Sequence, residues 1–223
     1  MAYQMHAIDI DDAFREQGDS LFNTFYNVHH QTGPGKDAMR FWIPTRFGEG
    51  HLDLRKLADA TFSLGTTRFN RDVNLSDNVA SSIFSIRINT GADASFRIDN
   101  TAFSVASQTT SLRYFQQGAN YQRQFSRNEK VGDLAFTFTE EQFHQYLESL
   151  EHPELSRAVD RADYFQLFCQ AKIDAKQRYL IAKLTNNPYK GALEKLYFDS
   201  VAGELLIAAL GSLGVDNNSA ATA

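Results

Sequence analysis

The sequence predicts an α+β protein: an antiparallel β-barrel or sandwich through residue 138, then a helical section. Three observations carry this prediction. Apolar residues from His51 to Phe138 alternate mostly with period two, the pattern of half-buried strands. Phe (18) and Tyr (9) far outnumber the single Trp, Trp42, and such residues suit pleated surfaces. From Thr139 onward the apolar spacing changes to three and four, the helical period.

Residues 1–20 read as a short polar arm with weak helical character around Ile10 to Gln17. Leu21 to His29 is aromatic-rich and reads as a first strand, broken by Gly33-Pro34-Gly35. Gly48 with Gly50 marks a second turn, and Phe41-Trp42-Ile43 lies between these breaks. Leu52, Leu54 and Thr61 to Leu64 give short strands. The clearest strand is Ile83 to Ile88, with Phe84, Ile86 and Ile88 on one face and Ser85 and Arg87 on the other. Asn89 to Asp93 is a turn, and Phe96 and Ile98 resume beyond it, so the segment reads as a hairpin. Phe103 with Val105, Leu112 with Tyr114, and Leu134, Phe136 and Phe138 continue the series. Many short strands without an intervening long helix point to a sandwich or barrel rather than a parallel βαβ sheet.

Thr139 and Gln142 fit a capping box, in which each side chain satisfies an exposed amide at a helix start. Phe143, Tyr146, Leu147 and Leu150 follow at helical spacing, and Pro153 closes the element. A second helical pattern covers Arg157 to Phe168. A third carries Ile173, Leu180, Ile181 and Leu184 and stops before Asn186-Asn187-Pro188. A fourth runs from Gly191 to Leu213, with Leu193, Leu196, Tyr197, Val201, Leu205 and Ala208 on one stripe. The tail from Gly214 to Ala223 is small and polar, like an interdomain linker. The predicted divisions are therefore 1–138, a β-rich domain; 139–213, a helical section; and 214–223, a linker.

With 223 residues and a net charge of −5, the chain lacks the basic balance that phosphate neutralisation demands of a DNA-binding domain. Cys169 is the single cysteine, so no intrachain disulfide forms. The opening residues have neither a basic nor an apolar region of a signal peptide, and no apolar run reaches the length of a membrane span. The expected location is the cytoplasm.

Chemical motifs are sparse. The histidines are His6, His29, His30, His51, His144 and His152. His29 and His30 are adjacent, so on a strand they point to opposite faces and cannot share a metal. Glu140-Glu141 in a first helical turn complements the helix dipole. Gly33-Pro34-Gly35 lacks the Lys and Ser/Thr of a phosphate loop. Cys169, within an apolar stretch read as helical, reads as a core thiol. No nucleophile elbow or triad order is present. The expectation is a non-enzyme with no metal and no cofactor.

The candidate binding residues are Trp42, Arg87, Arg97 and Tyr114. Arg87, Arg97 and Arg113 fall on or beside predicted strands, and the first two, projecting into a barrel, would pair with an anionic ligand through their planar forks; a solvated outer face is the competing reading. Trp42 and Tyr114 would line an apolar pocket, or pack in the core. Leu180, Leu184, Val201 and Leu205, on the last two helices, are the candidate dimer contacts; covering the barrel is the other use of those stripes.

The stretch Leu184-Thr185-Asn186-Asn187-Pro188-Tyr189-Lys190-Gly191-Ala192-Leu193-Glu194-Lys195-Leu196-Tyr197-Phe198, followed by Glu204-Leu205-Leu206, resembles AraC-family regulators of the siderophore-responsive, pyochelin-regulator-like branch. In that branch a helix ends in a Pro-Tyr-x-Gly turn, and a long helix then carries a Leu-Tyr pair and a Glu-Leu-Leu triplet. Phe84 to Ile88 resembles its central strand, and Leu134 to Leu147 its last strand running into the first flanking helix. The resemblance implies a cupin-like β-barrel that senses an effector, a helical section that forms a homodimer, and a pair of helix-turn-helix motifs that binds DNA. Nothing like that pair follows Leu213, so the DNA-binding half is expected beyond the tail. The implied partners are a small-molecule effector, such as a siderophore or metabolite, and DNA through the absent half, with no membrane. Two other classes compete: a cupin-type metal-dependent dioxygenase or isomerase, and a stand-alone small-molecule-binding module.

Overall fold

The computed structural model describes residues 3–6, 38–43, 48–79, 82–149 and 168–215. Among them are twelve strands: β1 (Tyr3–His6), β2 (Ala38–Trp42), β3 (Gly48–Lys56), β4 (Thr61–Phe69), β5 (Val73–Asn78), β6 (Ile83–Asn89), β7 (Ala94–Ile98), β8 (Thr101–Val105), β9 (Thr109–Phe115), β10 (Asn120–Phe125), β11 (Lys130–Thr139) and β12 (Phe168–Lys172). The helices are α1 (Glu140–Ser149), α2 (Ala175–Thr185) and α3 (Ala192–Val215). The strands form two sheets. The larger runs β12-β9-β6-β11-β4-β3-β2 and the smaller β1-β5-β10-β7-β8. Every pairing is antiparallel except β1 with β5. The predicted class holds: a two-sheet sandwich, its sheets not joined into a closed barrel, followed by a helical section.

The register of the large sheet stacks apolar residues from neighbouring strands in rows on its outer face. Ile86 sits between Leu112 and Phe136, and Phe136 lies opposite Phe62. Phe84 sits between Tyr114 and Phe138. The helices cover this face. Phe143 of α1 stacks on Phe84 at 4.3 Å between ring centroids, and Phe198 of α3 meets the Phe62 ring edge-on at 5.1 Å. Leu180 and Leu184 of α2, with Val201, Leu205, Ala209 and Leu213 of α3, complete one continuous core. Phe62, Phe84, Phe136, Phe138 and Phe143 are all essentially inaccessible to solvent. Burial of each is worth about 1.5–3 kcal/mol relative to exposure.

Caps fix where the helices begin. Thr139 N–H donates to Gln142 Oε1 at 2.9 Å, and Gln142 N–H to Thr139 Oγ1 at 3.2 Å, which is the predicted capping box. A second box opens α2, where Asp174 Oδ1 accepts from Gln177 N–H at 2.7 Å and Gln177 Oε1 from Asp174 N–H at 2.9 Å. Gln177 is fully buried and its Nε2 also donates to Thr110 Oγ1 at 3.1 Å, tying α2 to β9.

Several local expectations need correction. Ile83–Ile88 and Phe96–Ile98 do not form a hairpin. β6 pairs with β9 and β11 in the large sheet, whereas β7 pairs with β8 and β10 in the small one. The Asn89–Asp93 turn therefore carries the chain from one sheet to the other. Buried Asn89 pins that corner, its Nδ2 donating to the carbonyls of Ala92 (2.8 Å) and Ala106 (3.1 Å) while its Oδ1 accepts from Gly91 N–H. Gly48 and Gly50 belong to β3 rather than to a turn. Gly50 has φ of +133°, and a Cβ there would meet the Thr66 carbonyl oxygen at 2.0 Å, so glycine is needed for close strand approach. Cys169 and Ile173 are not helical: Cys169 lies on β12, opposite Leu112, and Ile173 precedes the Asp174 cap of α2. A strand of the large sheet thus lies inside the section read as wholly helical. Tyr3–His6, within the segment read as a short polar arm, is a strand. The proposed first strand at Leu21–His29, the Pro153 stop and most of the Arg157–Phe168 pattern lie outside the described residues.

Ala192–Leu213 is also long and apolar enough, by length and composition, to cross a membrane, contrary to the reading of the sequence alone. Its apolar content has a local explanation. Phe198, Val201, Ala202, Leu205, Leu206, Ala209, Leu210 and Leu213 are buried in the core of this chain.

Candidate binding site between the sheets

Strand alternation gives the large sheet two chemically different faces. Odd-numbered positions of β4, β6, β9 and β11 point away from the helices and towards the small sheet. Among the described residues, nine of the eleven buried polar or charged side chains occupy such positions, including Ser63, Ser85, Asn89, Ser111, Arg113 and Thr137. The other two, Thr110 and Gln177, are hydrogen-bonded to each other on the helix side.

The small sheet meets this polar face with aromatic rings. Phe96 of β7 lies against Phe103 of β8 (5.2 Å) and Tyr121 of β10 (5.7 Å). Two ring pairs bridge the sheets: Phe115 with Tyr121 at 5.8 Å, and Phe69 with Phe125 at 4.8 Å. At one end Gln170 Nε2 of β12 donates to the Ser104 carbonyl of β8 at 3.2 Å.

Three arginines share the space between the sheets. Arg113 of β9 is 4% exposed. Its Nε donates to Ser111 Oγ at 3.2 Å, and its guanidinium carbon lies 4.4 Å from the centre of the Phe96 ring. Arg87 of β6 pairs through Nη2 with Asp133 Oδ2 of β11 at 2.9 Å. Arg123 of β10 lies over Phe125, 4.5 Å from the ring centre. Each keeps one buried nitrogen without a hydrogen-bond partner: Arg87 Nε, Arg113 Nη1 and Arg123 Nε. Burial pushes the Arg113 guanidinium down to about 10, helped by the Arg87 charge and, more weakly, by Arg123, with Tyr121 and Asp133 opposing.

The structure sorts the candidate residues. Arg87 points between the sheets. Arg97 is exposed, because β7 turns Phe96 and Ile98 inward. Tyr114 is buried on the opposite, helix-covered face, 4.7 Å from Phe84, because alternation gives the inner position to Arg113. Trp42 lies opposite His51 at the edge strand β2, its side chain outside the description. Arg113 and Arg123 complete the group. Arg113 was visible as an arginine on a strand, but its burial depends on the facing sheet. Arg123 lies on a strand too polar for the sequence pattern to reveal.

The candidate dimer residues Leu180, Leu184, Val201 and Leu205 are all buried in the core of the chain itself, where they hold α2 and α3 onto the sheet. The exposed large apolar side chains among the described residues are instead Tyr179, Tyr189, Leu193, Leu196 and Ile207. Among the described residues, no three His, Cys, Asp or Glu side chains group as metal ligands.

Residues 61–223 match the family described as the regulatory protein PchR N-terminal domain. No curated protein sequence matches the chain. Solved structures with partial likeness include AerE from Microcystis aeruginosa (9% identity, TM-score 0.36), which matches over 45% of this chain and 45% of that one. A cupin-2 domain from Rhodospirillum rubrum matches 49% of this chain and 75% of its own at 9% identity and TM-score 0.34. A predicted oxalate decarboxylase from Thermotoga maritima matches 49% and 99% at 13% identity and TM-score 0.32. The chain spans less than half the length of AerE.

Proposed function

Because this chain belongs to the PchR N-terminal regulatory-domain family, we propose that it is the ligand-sensing part of an AraC-type transcription regulator acting in the cytoplasm. The observation that carries this reading is the inner face of the large sheet. Buried hydroxyls, Arg87 and Arg113 collect there, each arginine with one nitrogen lacking a partner, and the small sheet sets aromatic rings and a third such arginine, Arg123, opposite. Interiors normally satisfy their buried polar groups. A face that does not is suited to a small molecule that supplies the missing acceptors.

The domain acts by binding, with no catalytic role. Residues 1–138 and 139–213 form its sensing and dimerising parts, and 214–223 lead to a helix-turn-helix domain. An effector that prefers one arrangement of sheets and helices shifts the population towards it. That shift alters how two DNA-binding domains are presented to half-sites at fixed spacing. The helices transmit it, because α1, α2 and α3 rest on the reverse side of β6 and β9, the strands that carry Arg87 and Arg113. For dimerisation, Leu196 and Ile207 stand exposed on one stripe of α3, eleven residues and so about three turns apart.

The test is native mass spectrometry of the chain after incubation with small-molecule extract from its source cells. One molecule is expected to remain bound per chain. Arg87→Ala and Trp42→Ala are expected to release it, whereas Lys176→Ala, on the solvent side of α2, retains it. A reporter under the regulator's own promoter should then respond to that molecule. Retention of nothing, together with a reporter indifferent to loss of the gene, would overturn the reading.

A further inference from the structure

We propose that the space between the sheets takes a small organic carboxylate with an apolar body, and that Arg113 is its anchoring residue. This rests on the sensing function above and names the chemical class of the effector.

The charge balance carries the inference. Arg87, Arg113 and Arg123 bring three positive charges to one inter-sheet region, and Asp133, engaged with Arg87, is the carboxylate that meets them there among the described side chains. Arg113 is the most deeply placed, 4% exposed and on β9 of the large sheet, flanked by β6 and the edge strand β12. Its Nε is used by Ser111 and one face of the guanidinium by Phe96, yet Nη1 has no acceptor. A buried cation costs several kcal/mol unless paired, and removing its partner is what makes the cost appear. An arginine retained in that state has a partner that comes and goes.

The geometry of the donors selects the class. A guanidinium presents parallel N–H groups that fit the two oxygens of a carboxylate. The aromatic wall of Phe96, Phe103 and Tyr121 offers apolar surface to the rest of the molecule. Inorganic phosphate satisfies the charge but leaves that wall unused. Arg113 shares β9 with Tyr114, whose ring packs beneath α1 through Phe84. An anion that moves Arg113 therefore acts on the strand that supports the helices.

The experiment compares benzoate, its neutral isostere benzamide, and inorganic phosphate at matched ionic strength, by thermal shift and calorimetry on the whole 223-residue chain. Benzoate at several times its Kd is expected to raise the melting temperature by about 2–4 °C. Benzamide and phosphate should do much less. Arg113→Met is expected to melt no lower than the parent without ligand and to bind benzoate at least about tenfold more weakly, the loss for a charge-assisted hydrogen bond. Arg97→Met, on the exposed side of β7, keeps the full response. Equal shifts with benzoate and benzamide, a larger shift with phosphate, or an unchanged response in Arg113→Met would overturn the proposal. So would an Arg113→Met variant that melts several degrees lower and is restored by Arg113→Lys, since the cation would then be structural. A neutral molecule retained in the mass-spectrometric test, without any benzoate response, sinks the carboxylate class and leaves the sensing function standing.

Discussion

The two faces of the large sheet are built from the same strands and differ in almost every other respect. On the helix side Phe62, Phe84, Phe136 and Phe138 pack under α1 and α3, and the buried polar pair there, Gln177 and Thr110, is hydrogen-bonded. On the inner side, threonines and serines surround arginines whose hydrogen bonds are incomplete. One face has been optimised for stability. The other carries unsatisfied groups that stability alone would have removed. The difference teaches where to look for function: on the side that leaves polar demand unmet, with the well-packed side as its mechanical support.

The contrast can be broken most severely on the packed side. Phe136→Ala should cost about 3–5 kcal/mol, the range for emptying an aromatic core site. Its chain neighbour Thr137, on the inner face, should tolerate Val within about 1 kcal/mol, since shape is kept and a polar group removed. Chemical denaturation of both variants checks this, and equal losses would erase the distinction. Leu205→Asp should unfold the domain, whereas Ile207→Asp, 63% exposed, should leave melting unchanged and shift the mass in solution towards monomer. A dimer that survives Ile207→Asp moves the interface off this stripe.

Smaller effects sharpen the picture. Gln177→Leu removes half a capping box and leaves Thr110 without its partner, for a loss of about 1–3 kcal/mol. Asp174→Ala, which loses only the cap, should cost about 1 kcal/mol. Arg113 gives the opposite sign. Its guanidinium is held down to about 10, well below its ordinary value, so the fold carries the charged form at a cost at neutral pH. That cost fades as pH rises through about 10. Arg113→Met should therefore be at least as stable as the parent at neutral pH, with the gap narrowing in alkali. A gap that widens with pH would refute the assignment.

Much of the fold was legible in advance. Period-two alternation at Phe84, Ile86 and Ile88 located β6 and sorted its faces correctly, and Thr139 with Gln142 marked the start of α1 to the residue. Strands β5, β10 and β12 escaped, because Asn74, Gln122 and Gln170 interrupt the apolar signal that a strand edge or a polar interior does not require. Of the binding candidates, Arg87 was placed between the sheets as one reading had it. Arg97 faces solvent and Tyr114 packs in the core, the competing reading for each, which the sequence left open because alternation fixes two faces without saying which is covered by what.

Residue order by itself determined many of the elements, their alternation, the cap of α1 and the change from strands to helices near Thr139, since these depend on neighbours a few positions apart. Only the tertiary structure decided that β6 and β7 part into different sheets, that Leu180 and Leu205 face inward, and that Arg87, Arg113 and Arg123 converge. The physical reason is that pairing and burial depend on segments far apart in the chain. A strand's pattern specifies that it has a buried side, and the packing of other strands and helices determines what lies against it.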